Sequence, residues 1–360
     1  MSSTIGSGFG ILPTLIANSS NVHQQLDTLT EQVSTGLVSQ TFAGLGSDAS
    51  VALNLSPQLT ALQTYQNNIS QATGSMQLTQ TVMTQIQQIA STFVADIPNL
   101  NGLNSSEVSS VAAQANAALQ QVADLLNTQD GGNYVFGGQD TANPPVPAGT
   151  NILSSGFYTQ INAAVAGLSA NGAAATAATT LALASSNTAG TSPFSAYLSQ
   201  PVSGISAVVV QTGQGGTVQT GLLASGNSVS TSSGTSTTGS YMRDLMRSLA
   251  TLGSLTEAQV SDPGFAALVQ DTSTSLNGAV SAMANDVGVL GNTQASLTTM
   301  KTQLSNTATA LSGQLSSVQD VDMAAALSKL TGMQTQLQAS YRLITGANSL
   351  SLVTFLPASA

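Results

Sequence analysis

Both ends of this chain carry apolar residues at alternating steps of three and four, a spacing that a helix buries only by lying along another helix. At the amino end the row is Leu12, Leu15, Ser19, Val22, Leu26, Leu29 and Val33, with mostly polar residues between. It predicts one helix of about 25 residues. Towards the carboxyl end a longer row runs Leu276, Val280, Met283, Val287, Leu290, Gln294, Leu297, Lys301, Leu304, Ala308, Leu311, Leu315 and Val318, apolar at all but Gln294 and Lys301. At 1.5 Å per residue it extends roughly 60 Å, longer than a small core requires, so a partner must lie beside it. Asp320 and Asp322 can each cap a further helix, whose row reads Met323, Leu327, Leu330, Gln334, Leu337, Tyr341, Ile344 and Asn348, with Leu352, Phe355 and Leu356 in the tail.

Three more helices are expected inside these two ends. One begins near Ser50 after Asp48, carries Pro57 early, and buries Leu55, Leu59, Leu62, Gln66, Ile69, Thr73 and Met76 before slipping register to Val82, Ile86, Ile89 and Phe93; Pro98 ends it. Another starts after Ser106 and stops at Asp130-Gly131-Gly132, and a third begins at Tyr241 with Met242, Leu245, Leu249 and Leu252 on one side. Between Thr141 and Met242 no residue is charged and helical periodicity fades, so Gly/Asn turns and β-branched residues predict short strands. The expected class is mainly α, a long antiparallel coiled-coil helical bundle formed by both chain ends, with a central β-rich insert. Outer faces rich in Gln, Ser, Thr and Asn supply few charge pairs, so the terminal helices should be weak alone and firm when packed.

Charge excludes several functions. Only 6% of residues are charged, against roughly 25% in an average soluble domain. Five basic residues face fifteen acidic ones, and none of the basic ones precedes Arg243. Such a chain cannot neutralise a phosphate backbone or an anionic membrane. With no cysteine there is no disulfide, no thiolate nucleophile and no Cys-ligated metal. The opening MSSTIGSGFGILPTLIANSS lacks the basic start and unbroken apolar stretch of a Sec leader. No catalytic, cofactor-binding or metal-ligating residues are expected. His23 is the sole histidine and reads as a surface or packing residue, Asp320 and Asp322 as caps, and Gly6, Gly8 and Gly10 as a terminus without the strand and Lys of a phosphate loop. Gln294 and Lys301 either fix the register of the longest row or face solvent.

Three segments resemble the family of bacterial flagellins and the hook-filament junction protein, hook-associated protein three. They are LTEQVSTGLVSQTFAGLGSDAS from Leu29, with the Ser34-Thr35-Gly36 turn; DGGNYVFGGQDTANPPV from Asp130, with Tyr134, Phe136, Gly137 and Gly138; and LQASYRLITGANSLSLVTFL from Leu337. The signature running from Tyr134 to Pro145 is more typical of the junction protein than of filament flagellin. Leu37 and Asn133 stand where the family often has basic residues. The resemblance implies a structural subunit exported through the flagellar type III apparatus and assembled outside the cell, with no cofactor. It implies an assembly interface at Leu12, Leu15, Val22, Leu26, Leu29, Val33, Leu327, Leu330, Leu337, Tyr341, Ile344, Leu352 and Phe355. The implied layers are an inner tube of residues 1–48 with 320–360, a rod of 49–140 with 241–319, and an outward insert of 141–240. Implied partners are further copies of the chain, neighbouring axial proteins (hook, another hook-associated protein, flagellin) and an export chaperone, but neither nucleic acid nor membrane. Filament flagellin, a secreted adhesin and a membrane-active translocator stand as the alternatives; removing the insert should spare assembly by a structural subunit.

Overall fold

Threonine shows how helices so poor in charge are finished. In α1 (Ile11–Thr35) the hydroxyls of Thr28, Thr30 and Thr35 donate to the carbonyls of Gln24, Leu26 and Glu31, and in α8 (Met323–Ser349) those of Thr331, Thr335 and Thr345 do the same to Leu327, Thr331 and Tyr341. These hydroxyls bond their own helix and add no cross-links between side chains. The computed structural model describes residues 11–100, 105–227 and 237–349. Gly6, Gly8, Gly10, Leu352, Phe355 and Leu356, and the side chain of Leu12, lie outside the described residues.

The chain forms two compact units. The first comprises residues 1–63 and 305–360. In it α1 and α8 run antiparallel, since His23 meets Tyr341 while Leu37 bridges to Asp320. A short 3₁₀ segment, Phe42–Asp48, precedes α2 (Ala49–Asp96), which continues through Pro57. Asp322 caps α8, its Oδ1 accepting from the amides of Ala324 and Ala325 at 3.0 Å each.

The second unit, residues 64–304, is built around α6 (Tyr241–Gly253), every residue of which is buried. Around it lie α3 (Ser105–Leu126), the later turns of α2, and the first part of α7 (Phe265–Gln319). Two hairpins complete the unit. One pairs β1 (Gln129–Asp130) with β2 (Asn133–Tyr134), and the other pairs β3 (Val209–Gln211) with β4 (Thr217–Gln219), both antiparallel. A mainly helical chain with small antiparallel sheets in its middle is the expected class.

Two local details differ from expectation. Among its described residues the stretch from 141 to 240 holds α4 (Gly156–Ala166) and α5 (Leu168–Ser185) as well as one short hairpin, so strand is the minor component there. Alanine is the best helix former, but its presence on nearly every face of α5 leaves no amphipathic stripe to read. Phe157, Ile161 and Val165 recur at four-residue steps in α4 and are buried in the same core as Leu245 and Leu249. In α2 and the 3₁₀ turn that follows it (Ile97–Leu100) the inward row does not slip: Met76, Thr79, Met83, Ile86, Ala90, Phe93 and Ile97 all bury, and polar Thr79 hides its continuity. Val82 widens the stripe because this part of α2 is covered by more than one neighbour.

Candidate functional site

On α1, Val22 is 7% exposed, Ser19 is buried, and Leu15, Leu26, Leu29 and Val33 are half-buried, all at steps of three and four. The matching row on α8 is Ala326, Leu330, Met333, Leu337, Ser340 and Ile344, with Ala326 buried and the rest half-buried. Leu327 and Tyr341, placed in the α8 row by spacing, stand on its flank, 46% and 48% exposed. Small residues explain the shift. Ala326 and Ser340 let α8 approach α1 closely, whereas a Leu or Tyr there would hold the backbones apart. Met323 and Leu343 are also exposed on α8, as is Ile16 on α1.

The Ser34-Thr35-Gly36 turn is a helix stop joined to the far end of the chain. Gly36 has φ +74°, a left-handed conformation that suits glycine, and its amide donates to the Gln32 carbonyl at 2.8 Å. The chain then turns onto the junction between α7 and α8. Val38 donates to the Gln319 carbonyl at 2.7 Å, and Val321 donates to the Gly36 carbonyl at 2.9 Å. Gln32 secures the loop by donating to the Val38 carbonyl at 2.9 Å. Leu37, which replaces a basic residue of the family pattern, thus contributes a backbone bridge.

Tyr134, Phe136, Gly137 and Gly138 are inside the second unit rather than on a docking surface. Phe136 is buried, and its carbonyl accepts from Ala224 at 3.1 Å. At Gly138 (φ +65°) an added Cβ would lie 2.6 Å from the Ser206 carbonyl oxygen and 2.5 Å from Leu223. Only glycine lets the two segments pass so closely. Downstream, Asn127 both donates to and accepts from the backbone of Val146, at 2.8 and 2.9 Å, and the Pro145 carbonyl accepts from Ser195. The signature therefore fastens the segment after α3 to residues 195–224.

The sequence reading did not anticipate the polar interior of α6. Arg243 donates to the carbonyls of Ala184 and Ser186 and to Asn187 Oδ1, at 2.7–3.2 Å, and lies over the Phe194 ring. Arg247, 2% exposed, is 3.5 Å from Asp271. Burial lowers the pKa of both guanidiniums, opposed at Arg247 by Asp271 and Asp244. Asp244 accepts from the Thr237 hydroxyl and the Thr238 amide. Tyr241 is pushed far up by burial, and further by its charged hydrogen-bond partner Asp286. Burial raises Asp286 in turn, while the bond from Tyr241 works in the opposite sense. The available signal was that the first charges after an uncharged stretch fall in one short helix, at Arg243, Asp244 and Arg247. On α7, Lys301 is exposed, whereas the Gln294 side-chain nitrogen is buried without a partner among the described residues.

The bacterial flagellin N-terminal helical region matches residues 14–141, and the flagellin C-terminal helical region matches residues 274–356. The chain belongs to the flagellin family. No curated protein matches it. As a flagellin-family chain it is a structural, non-enzymatic subunit of the bacterial flagellum that polymerises with other axial components. It is exported by the flagellar secretion system and works outside the cell. No helix among the described residues is long and apolar enough to cross a membrane. The matched regions contain most of α1, the Ser34-Thr35-Gly36 turn and all of α8.

Proposed function

We propose that this chain is a hook-filament junction subunit of the hook-associated protein three type. The observation that carries the reading is the segment from Tyr134 to Pro145, whose close-packed glycines and clamp at Asn127 build that signature into the core. In this reading residues 1–48 and 320–360 form the inner tube, 49–140 and 241–319 the rod around it, and 141–240 the outer face. The assembly interface in this reading is built on the seam that joins α1 to α8 in each copy, Leu15, Val22, Leu26, Leu29, Val33, Leu330, Leu337 and Ile344, with Leu327 and Tyr341 on the flank and Leu12, Leu352 and Phe355 beyond. Partners are the hook, another hook-associated protein, flagellin and an export chaperone. Electron microscopy of cells lacking the chain tests the assignment. Hooks without filaments are expected. Hooks bearing normal filaments would remove the junction role, and an absent or shortened filament above an intact junction would make the chain a filament flagellin.

A further inference from the structure

Asparagine is followed by glycine at Asn101-Gly102, Asn171-Gly172 and Asn277-Gly278. The pairing matters chemically, because a glycine has no side chain to shield its amide nitrogen from the carbonyl carbon of the asparagine side chain before it. The first pair lies outside the described residues, and the other two stand in contrasting surroundings. Asn277 is inside α7, which runs unbroken past it. Its side-chain nitrogen donates to the Ser273 carbonyl at 2.9 Å, so the amide is tied back onto the preceding turn. Any reaction between that side chain and the Gly278 nitrogen requires the helix to open locally first.

Asn171 is placed differently. It closes the first turn of α5, and Gly172 then departs from the helix with φ +77° and ψ 166° before the helix resumes. Asn171 is exposed, and its side-chain amide forms no hydrogen bond among the described residues. Glycine accepts φ of either sign, so the peptide group between Asn171 and Gly172 can rotate without disrupting a long helical run. The side chain that is free to react therefore sits beside the backbone that is free to turn.

We propose that Asn171 is a site of spontaneous, one-way modification, in which the Gly172 amide nitrogen attacks Asn171 Cγ and the resulting ring opens to aspartate or isoaspartate. In the first step the N–Cγ bond forms and the Cγ–Nδ2 bond breaks, and ammonia leaves with the proton of the Gly172 amide. In the second step one water molecule adds to a ring carbonyl. Addition at Cγ restores the main chain and gives aspartate, whereas addition at the main-chain carbonyl routes the chain through Cγ and gives isoaspartate. Nothing is oxidised or reduced. Both products carry the first charge in a stretch, Thr141 to Met242, that has none. At position 171 that charge precedes the longer part of α5, where the helix amides favour an anion. Isoaspartate also lengthens the main chain at a tight contact, for a Cβ on Gly264 would lie 3.0 Å from the Ala173 nitrogen and 3.2 Å from Leu168. The inference is independent of the junction reading, and the converted fraction records the time since the chain was made.

Peptide mapping by mass spectrometry tests it on the full-length folded chain, incubated in mildly alkaline buffer made with heavy-oxygen water. The peptide containing Asn171 should convert to two chromatographically separable acids, each with one heavy oxygen atom taken from the solvent. Conversion there should run about tenfold faster than at Asn277, which has to wait for α7 to open. In denaturant, where neither helix persists, the two rates should converge. N171Q should keep the circular dichroism of the wild type and form no acid at this position, because the longer side chain closes a less favourable ring. An Asn171 that stays an amide in the folded chain, or that converts no faster than Asn277, overturns the inference.

Discussion

The terminal helix pair and the α6-centred core draw on the same scant supply of charge and spend it in opposite ways. In the core, both arginines of α6 are buried and bonded to carbonyls or carboxylates of other elements, and the helix has no free face. In the terminal pair, most seam residues stay half-buried, the cations and acids lie at the surface, and large apolar side chains flank the seam. One neighbouring helix covers one stripe. A unit whose helices each have several neighbours completes its own interior, whereas a two-helix pair with an exposed flank has cover left to gain from another copy.

Three measurements can break or sharpen that contrast. The largest effect is expected from deleting residues 141–240. That span supplies Ala177, Ala184, Ser186 and Asn187 as acceptors for the two arginines, and Phe157, Ile161 and Val165 to the core. Removing it takes every named acceptor from Arg243 and the Ala177 carbonyl from Arg247, leaving the latter Asp271, and strips apolar cover from the core, so calorimetry should show the cooperative transition of residues 64–304 abolished. A truncated chain that still unfolds cooperatively would show the core to be independent of it.

Next in size is a matched pair of truncations. Phe136→Ala should cost about 3–5 kcal/mol in the core, and Leu26→Ala about 1–2 kcal/mol in the half-buried seam, measured by urea unfolding of the monomer. Equal costs would erase the distinction between a finished interior and an unfinished one. The smallest effect concerns Asp286. Its folded pKa is raised by burial, so the folded state holds the proton more tightly than the unfolded chain. Stability should therefore fall as pH rises from the ordinary carboxylate range through the raised folded value. Asp286→Asn should flatten that slope while keeping an acceptor for Tyr241; an unchanged slope would assign it to other groups.

Much of this was legible in the residues. The α1 row from Leu15 to Val33 lies on one face as spaced, and the row from Leu276 to Val318 is at least half-buried everywhere except Lys301. The α8 row was half legible. Leu330, Leu337 and Ile344 face inward, but hydropathy favoured Leu327 and Tyr341 over Ala326 and Ser340, whose value lies in being small. Helix α5 was missed because an alanine-rich helix has no stripe, α4 because its stripe of Phe157, Ile161 and Val165 is only three residues long, and the charges of α6 were passed over because a sequence does not reveal which elements surround a helix.

The sequence alone determined that the two ends must be helices lying along other helices, because an apolar row at steps of three and four has no other efficient burial. It also determined the stop at Gly36, since a left-handed residue ends a helix cheaply only when it is glycine. Tertiary structure decided which side chains of α8 touch α1, because close approach selects for size and not for hydrophobicity. It likewise decided that Arg243 and Arg247 could be buried at all. Their partners come from α5, the residues after it and α7, far along the chain, and only folding brings those acceptors within hydrogen-bonding distance.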